Sequence, residues 1–405
     1  MFKAECILTI NGGSSGIKFS IYQIEEPLKV LLNGQLEGMG SSNAKLRFNN
    51  FVTQQKNSIS LRVADQNDAV DHLVDWLEKQ EGFSTVKAVG HRIVHGMNHT
   101  GPELITQELL RELKKISAYD PDHLPEEIRL IELFGKRYPS LKQVACFDTS
   151  FHTSMPMVAK LLSIPRRYFE KGIKRYGFHG LSYSFLLEEL NRLAGTAVAN
   201  GKLILAHLGS GASLAAVKAG KSIDTSMGFS PASGLPMSTR TGDLDPGAAW
   251  YLMQFEKLSA KEFNHLINHE SGLLGISGIS SDMRELMEAE YTDRRAAEAI
   301  DFFCYQTKKW IGSFAAVLGG LETLVFTGGI GEHSPEVRSK ICDGLEFLGI
   351  ELDEIKNMNN EAIISTEVSR VTVRVIPTNE EVIIAGLVNE VLNRSFIDMY
   401  EMSKS

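Results

Sequence analysis

The sequence predicts an α/β fold made of two copies of one plan, with a cleft between the copies. Three observations carry that expectation. A unit of strand, Gly/Ser turn and strand occurs twice, as CILTINGGSSGIKFSIY from Cys6 and as KLILAHLGSGASLAAVKAGKSIDT from Lys202. Elsewhere, stretches of helical period alternate with short apolar runs, the pattern of sheets covered by helices. The chain has 405 residues, enough for two domains, and no low-complexity linker interrupts it. The natural cleft of such a duplication is the interdomain one.

In chain order, the first hairpin comes first. Its glycines are Gly12, Gly13 and Gly16, and Lys18 is followed by the alternating run Phe19 to Tyr22. A Walker loop needs a helix there, so this turn joins two strands instead. Helices are expected at Asp68–Glu81, Thr106–Lys115, Leu124–Phe134 and Tyr183–Leu193, with strands at Val86–Val89 and Gln143–Phe147. The second hairpin has an apolar run Leu203–Ala206, the turn Gly209-Ser210-Gly211 and an alternating run Ser213–Val217, with another turn at Ala219-Gly220-Lys221. Helices follow at Ala260–Glu270, Arg294–Leu318, Pro335–Leu348 and Glu380–Leu392, and strands at Thr323–Phe326 and Val371–Ile376. Gly90, Gly177 and Gly328-Gly329 fall at strand or loop ends, where a backbone can approach a ligand.

Composition narrows the function classes. A net charge of −8 with 43% hydrophobic and 23% charged residues is that of a soluble globular protein and argues against nucleic-acid or membrane binding. An anionic ligand must then be held by a few placed cations. Cys6, Cys146, Cys304 and Cys342 are scattered with no Cys-x-x-Cys pair, so reduced thiols and a cytoplasmic location are expected. MFKAECILTI lacks a signal-peptide pattern, and no apolar run reaches the roughly 18 residues of a membrane span.

Several stretches carry chemistry. In NGGSSG, the turn amides, Ser14, Ser15 and Lys18 can cradle an anion; the alternative is an ordinary hairpin turn with a solvated lysine. HLGSGAS offers the same turn, and two such hairpins on one cleft would clamp a polyphosphate. In FTGGIGEHSPEVR a strand runs into Gly-Gly-x-Gly, and Ser334-Pro335 reads as an N-cap and first helical residue; a nucleotide fits there, with a plain connection as the alternative. Arg92 in VGHRIVHG suits bidentate carboxylate or phosphate recognition, whereas His91 and His95 read as structural. Asp148 ends an apolar strand, a ligand position in α/β folds, although capping a turn is the commoner role. His179, between Gly177 and Gly180, reads as a buried structural histidine on its own stretch. The segment Asp224 to Gly247, which contains Arg240, is long and aperiodic, as functional loops are, and Asp245-Pro246-Gly247 reads as a helix start. In PTNEEV, Glu380 or Glu381 can hold Mg²⁺, or Asn379 can cap the final helix.

Taken in order, NGGSSGIKFS, GHRIVHG, FDTSFH, RYGFHG, HLGSGAS, DTSMGFSP, STRTGDLDPG, SSDMR, TGGIGE and TNEE resemble the acetate kinase family over nearly the whole chain. The resemblance implies two duplicated actin-like (ribonuclease H-like) domains with an interdomain nucleotide cleft, residues 1–148 with 382–405 and residues 149–381. It implies reversible phosphoryl transfer between ATP and acetate, giving acetyl phosphate and ADP, with Mg²⁺ (or Mn²⁺) as the metal and a homodimer as the assembly. By residue, Asn11 and Glu380 would hold the metal, and Ser14 and Lys18 the phosphates. His207, Leu208, Gly209, Ser210 and Gly211, with Asp282, Met283 and Arg284 and with Gly329, Ile330, Gly331, Glu332 and His333, would bind ATP. Arg92 and Arg240 would hold the substrate carboxylate and the moving phosphoryl group, His179 would stabilise the transition state, and Asp148 would be the catalytic acid residue. Val94, Phe178 and Pro231 would line a methyl pocket.

The chain departs from the family pattern at Gly16, Ser210, His333, Leu181 and Tyr183, and in AYDPDHLP, Ala118 to Pro125, where a pocket leucine is absent or supplied by Leu124. Those departures bear on acyl-chain preference, which leaves propionate or another short-chain acid as an alternative, and on the phosphate donor, where pyrophosphate is a further alternative. An actin- or chaperone-like ATP-binding protein is the alternative of a different class. A small acid has a pKa near the 4.3 or so of a Glu side chain, so at pH 7 it is already the nucleophile. Asp148 is therefore expected to position Mg²⁺, water or an arginine and to remove no proton.

Overall fold

The computed structural model describes residues 4–13, 16–39 and 43–402. Met1–Ser150 with Asn379–Ser405 pack as one compact unit, and Phe151–Thr378 as a second. The first unit holds β1 (Cys6–Gly13), β2 (Gly16–Gln23), β3 (Lys29–Glu37), β4 (Asn43–Asn50), β5 (Gln55–Arg62), β6 (Val86–Ile93), β7 (Glu103–Leu104) and β8 (Lys142–Phe147), in the order β5-β4-β3-β2-β1-β6-β8-β7. The second holds β9 (Lys202–Leu208), β10 (Ala212–Lys218), β11 (Lys221–Thr225), β12 (Thr323–Thr327) and β13 (Thr372–Val375), in the order β11-β10-β9-β12-β13.

The two sheets share a plan. Each begins with an antiparallel hairpin, β1–β2 or β9–β10, widened by an antiparallel third strand, β3 or β11. On the other side of the first strand lie two parallel strands, β6 and β8, or β12 and β13. The duplication read from the two hairpins is thus present in the strand order. The first strand of each sheet is a nearly continuous buried run, as a strand covered on both faces must be. The edge strand β5 is mostly exposed and polar.

Helices cover the sheets as their apolar spacing requires. Gln66–Leu77 buries Ala69, Val70, Leu73, Val74 and Leu77, and caps itself through Asp65. The long helix Arg294–Leu318 buries Ala296, Ala299, Ile300, Phe303, Phe314 and Leu318 and matches the expected span. The final helix, Glu380–Met402, runs past the expected end at Leu392 and packs on β1, β6 and β8. Gly90 lies inside β6 and not at its end. A Cβ there would stand 2.5 Å from Ile384 Cγ2, so this glycine admits the final helix and not a ligand. Gly177, with φ +79°, likewise closes on Thr225 and His152.

Other expectations change. The span Pro335–Leu348 is two pieces, a helix Pro335–Cys342 and a 3₁₀ turn Glu346–Leu348, broken where Gly344 takes φ +73°. Ser334 precedes the helix but makes no side-chain cap. The Gly-Gly-x-Gly stretch is a short helix, Gly328–His333, and not an open turn. Asp245 does start a helix, Pro246–Phe255, accepting the N–H groups of Gly247 and Ala248. His91 and His152 are buried, bonded to Gln143 and to Ser222 and Phe178, and burial lowers each to a pKa of about 4. Among the described residues, no helix is long and apolar enough to cross a membrane, and the four cysteines are free and buried.

Candidate active site

In the first unit, the strand ends gather charge. Arg92, on β6, reaches Asp148, just past β8. Its Nε and Nη2 both donate to Asp148 Oδ2, at 3.1 and 2.6 Å, and its Nη1 donates to Gly12 O at 3.3 Å. Those bonds engage one N–H of each nitrogen and leave two of the five guanidinium N–H groups for a ligand. Asp148 is fully buried and the Arg92 side chain 13% exposed. Burial alone would pull the guanidinium's pKa down, but Asp148, Glu380 and Glu127 outweigh it and hold it above the ordinary arginine value. The residue read as a catalytic acid is therefore the direct counter-ion of the residue read as a carboxylate binder.

Asn11, on β1, joins this end to the start of the final helix. Its Nδ2 donates to Glu380 Oε2 at 2.8 Å and to Glu381 Oε1 at 3.1 Å. Asn379 also caps that helix, its Oδ1 accepting the Val382 N–H at 3.3 Å, the capping role read for PTNEEV. Burial raises the Glu381 carboxyl; Lys18 offsets part of the rise and Glu380 adds to it. Lys18 is exposed on β2, opposite Asn11 in the ladder. Two carboxylates held by one amide present the hard oxygen donors that suit Mg²⁺, which binds through one or two carboxylates together with water and phosphate oxygens. Ser14 and Ser15 lie outside the described residues. Gly16 has a steric reason: a Cβ there would stand 2.3 Å from Leu36 O on β3.

In the second unit, His179 takes φ +58° before the helix Gly180–Ala194. Its Nδ1 shares a hydrogen with Ser213 Oγ at 2.8 Å, and Tyr183 Oη meets the same hydroxyl at 2.5 Å. Its ring stacks on His207, centroids 4.2 Å apart, and His207 Nδ1 bonds Ser182 Oγ at 2.9 Å. A Cβ on Gly211 would lie 3.3 Å from His179 Nε2 and 3.7 Å from Arg240 Nη1. The second hairpin turn therefore has His179 and Arg240 beside it. Gly209 faces the Gly329 N–H, 3.7 Å from its own would-be Cβ, which adds the Gly328–His333 helix to the same cluster.

Arg240 comes from the long loop after β11. That loop is tied down by Ser238 N–H to Ser210 O and Leu273 N–H to Met237 O, and Arg240 Nη1 donates to Pro231 O at 3.2 Å. The stretch before His179 is anchored by Arg175, which bonds Asp224, Ala159 O and Thr225 O. RYGFHG and DTSMGF are thus one scaffold that holds His179 against the hairpin.

Some expected site residues are engaged locally. Glu332 Oε1 accepts from Gly328 N, Thr327 Oγ1 and Thr378 N, closing its own turn. Asp282 caps the helix Met283–Ala289 and pairs with Arg284, which is 83% exposed; Met283 is buried. His333 is 75% exposed. Val94, Phe178 and Pro231 are buried, and Leu124 sits in the apolar cluster with Ile93 and Phe147. Ser213, Ser182 and Glu127 were not singled out from the sequence. The only local sign for Ser213 was a serine at an inward position of an alternating strand.

The model of the acetokinase family matches residues 6–386. The chain is 43% identical over 390 residues to an acetate kinase of Thermoanaerobacterium thermosaccharolyticum, covering 94% of this chain and 97% of that one. It is 40% identical over 396 residues to an acetate kinase of Rhodopseudomonas palustris, with the same coverage. A propionate kinase of Francisella tularensis superposes with a TM-score of 0.87 at 36% identity, covering 95% of this chain and 98% of that one. An acetate kinase of Porphyromonas gingivalis superposes with a TM-score of 0.83 at 35% identity, covering 96% and 100%. The two-unit actin-like architecture is therefore shared, and the chain belongs to the acetokinase family.

Proposed function

We propose that the protein catalyses reversible, Mg²⁺-dependent phosphoryl transfer between ATP and acetate. The observation that carries this reading is Arg92. It is a nearly buried guanidinium with Asp148 on one side and two N–H groups to spare, in a chain of the acetokinase family.

A carboxylate oxygen bonds to the γ-phosphorus while the bond from that phosphorus to the β,γ-bridging oxygen breaks, and ADP departs. At neutral pH the acid is ionised, so no proton has to be removed. Asp148 has its Oδ2 committed to Arg92, which suits holding the arginine and not general-base work. The difficulty is bringing an anion to an anion, and such transfer is governed by positioning and charge neutralisation. Arg92 takes the acid, with Val94, two residues on, as an apolar contact for its methyl group. Arg240 and the His179 Nε2 edge, both beside the Gly211 turn, face the transferred phosphoryl group. The turn His207–Gly211, the segment Gly329–His333 and Asp282–Arg284 take the nucleotide, and Lys18 takes its phosphates. Asn11 and Glu380, with Glu381, would hold Mg²⁺, which supplies neutralisation of phosphate charge.

A second acid has a specific observation behind it: the Francisella neighbour is named a propionate kinase. One methylene changes selectivity by only about 1–3 kcal/mol, so the two acids differ by degree. The test is ADP release with Mg²⁺ and ATP, alone and with acetate, propionate or butyrate. Acid-dependent turnover supports the reading; slow release indifferent to acid overturns it.

A homodimer is part of the proposal. The helix Pro246–Phe255 buries none of its residues and exposes Trp250, Tyr251 and Phe255 at 60%, 53% and 59%. An apolar face of that kind favours a partner surface. Sedimentation of the wild type and Trp250→Glu checks it: a dimer that Trp250→Glu dissociates supports this face, and a wild-type monomer rejects it. The four buried free thiols support a reducing, cytoplasmic setting.

A further inference from the structure

The stretch Ala118 to Pro125, where the chain departs from the family pattern, leads into a set of buried polar groups. Asp120, His123 and Glu127 are 3%, 9% and 3% exposed. His123 Nδ1 and Asp120 Oδ1 share a hydrogen at 2.9 Å. Glu127 lies in the first turn of the helix Leu124–Arg137, where an acid ordinarily faces solvent. Here it turns inward, and its two oxygens accept the backbone N–H of Val94 at 3.2 and 3.1 Å. Val94 is two residues beyond Arg92, and the intervening Ile93 carbonyl accepts the Asp148 N–H at 2.9 Å. One buried carboxylate thus fixes the backbone on which the arginine is mounted.

Glu127 also enters the arginine's charge balance. From its own segment it faces Asp120, which pairs with His123, from β6 it faces Arg92, and from the end of β8 it faces Asp148. Burial pushes its carboxyl well above the usual range. Arg92 and the Val94 N–H oppose that push, and Asp120 and Asp148 add to it.

We propose that Glu127 is a positioning residue for Arg92: by accepting the Val94 N–H it fixes the end of β6, and so the seat from which the guanidinium meets the substrate carboxylate. The proposal rests on the acyl-kinase reading above.

The test is kcat and the KM for acetate and for ATP, at neutral pH where the acid is ionised, in wild type, Glu127→Gln and Glu127→Leu. Glu127→Gln keeps an oxygen for the Val94 N–H, so its KM for acetate should stay close to that of the wild type. Glu127→Leu loses the anchor and should raise the KM for acetate about tenfold, with the KM for ATP nearly unmoved. A Gln variant as impaired as the Leu variant, or a Leu variant that leaves the KM for acetate unchanged or shifts kcat and both KM values alike, overturns the proposal and leaves acid-dependent turnover standing. Absence of acid-dependent turnover in the wild type overturns the functional reading instead.

Discussion

Lowering the pH from 7 to 5 should weaken each unit through one buried histidine. His91, in the first unit, is 2% exposed and His152, in the second, 1% exposed. Burial lowers both to a pKa of about 4, against an ordinary 6.5. The unfolded chain binds a proton on each below pH 6.5, whereas the folded chain does so only near 4. The stabilisation is therefore whole above 6.5 and is lost as the pH falls towards 4. Integrating between pH 7 and 5 gives about 2 kcal/mol per histidine, at about 1.4 kcal/mol for each pKa unit of difference. The assay is urea unfolding at both pH values for the wild type, His91→Gln and His152→Gln. Each variant is expected to be less stable at pH 7 but to lose about 2 kcal/mol less than the wild type on going to pH 5. Equal losses in all three proteins would refute the claim that these histidines are held neutral by burial.

Three further outcomes are expected. Arg240→Ala should lower kcat by about 10³-fold or more, as loss of a charge-stabilising arginine does in phosphoryl transfer, whereas Arg92→Ala should also raise the KM for the acid; unchanged kcat in both rejects these assignments. Asp148→Asn should leave the shape of the pH–rate profile unaltered while weakening acid binding, because its charge orients Arg92; loss of one limb of the profile with binding intact would show proton abstraction instead. Gly16→Ser should cost about 1–3 kcal/mol in urea unfolding, since its Cβ would stand 2.3 Å from Leu36 O, and an unchanged midpoint would show that β3 can give way.

Much of the fold was legible because it is written in local patterns. The hairpins declare themselves through apolar runs bracketing Gly12-Gly13 and Gly209-Ser210-Gly211, and the helix Arg294–Leu318 through its unbroken 3–4 spacing. The ladder β3–β4–β5 was not legible, because its apolar positions are sparse and its register is set by pairing across strands. The helix Gly328–His333 was hidden by its three glycines, which are poor helix formers. In the site, the residue types were legible and their pairings were not. Arg92 and Asp148 stand 56 positions apart, and parallel β6–β8 pairing brings them together. Glu127 lies 33 positions from Val94 and reads locally as a solvent-facing first-turn acid. Only the packing of the helix Leu124–Arg137 against β6 turns it inward.

The measurement that bears most directly on the central claim is ³¹P NMR of the wild type and Arg92→Ala with ATP, Mg²⁺ and acetate. Growth of an acyl phosphate signal that requires both ATP and acetate and is sharply reduced in Arg92→Ala is the predicted result. ATP consumed to inorganic phosphate with no acyl phosphate formed, equally in both proteins, would contradict the account.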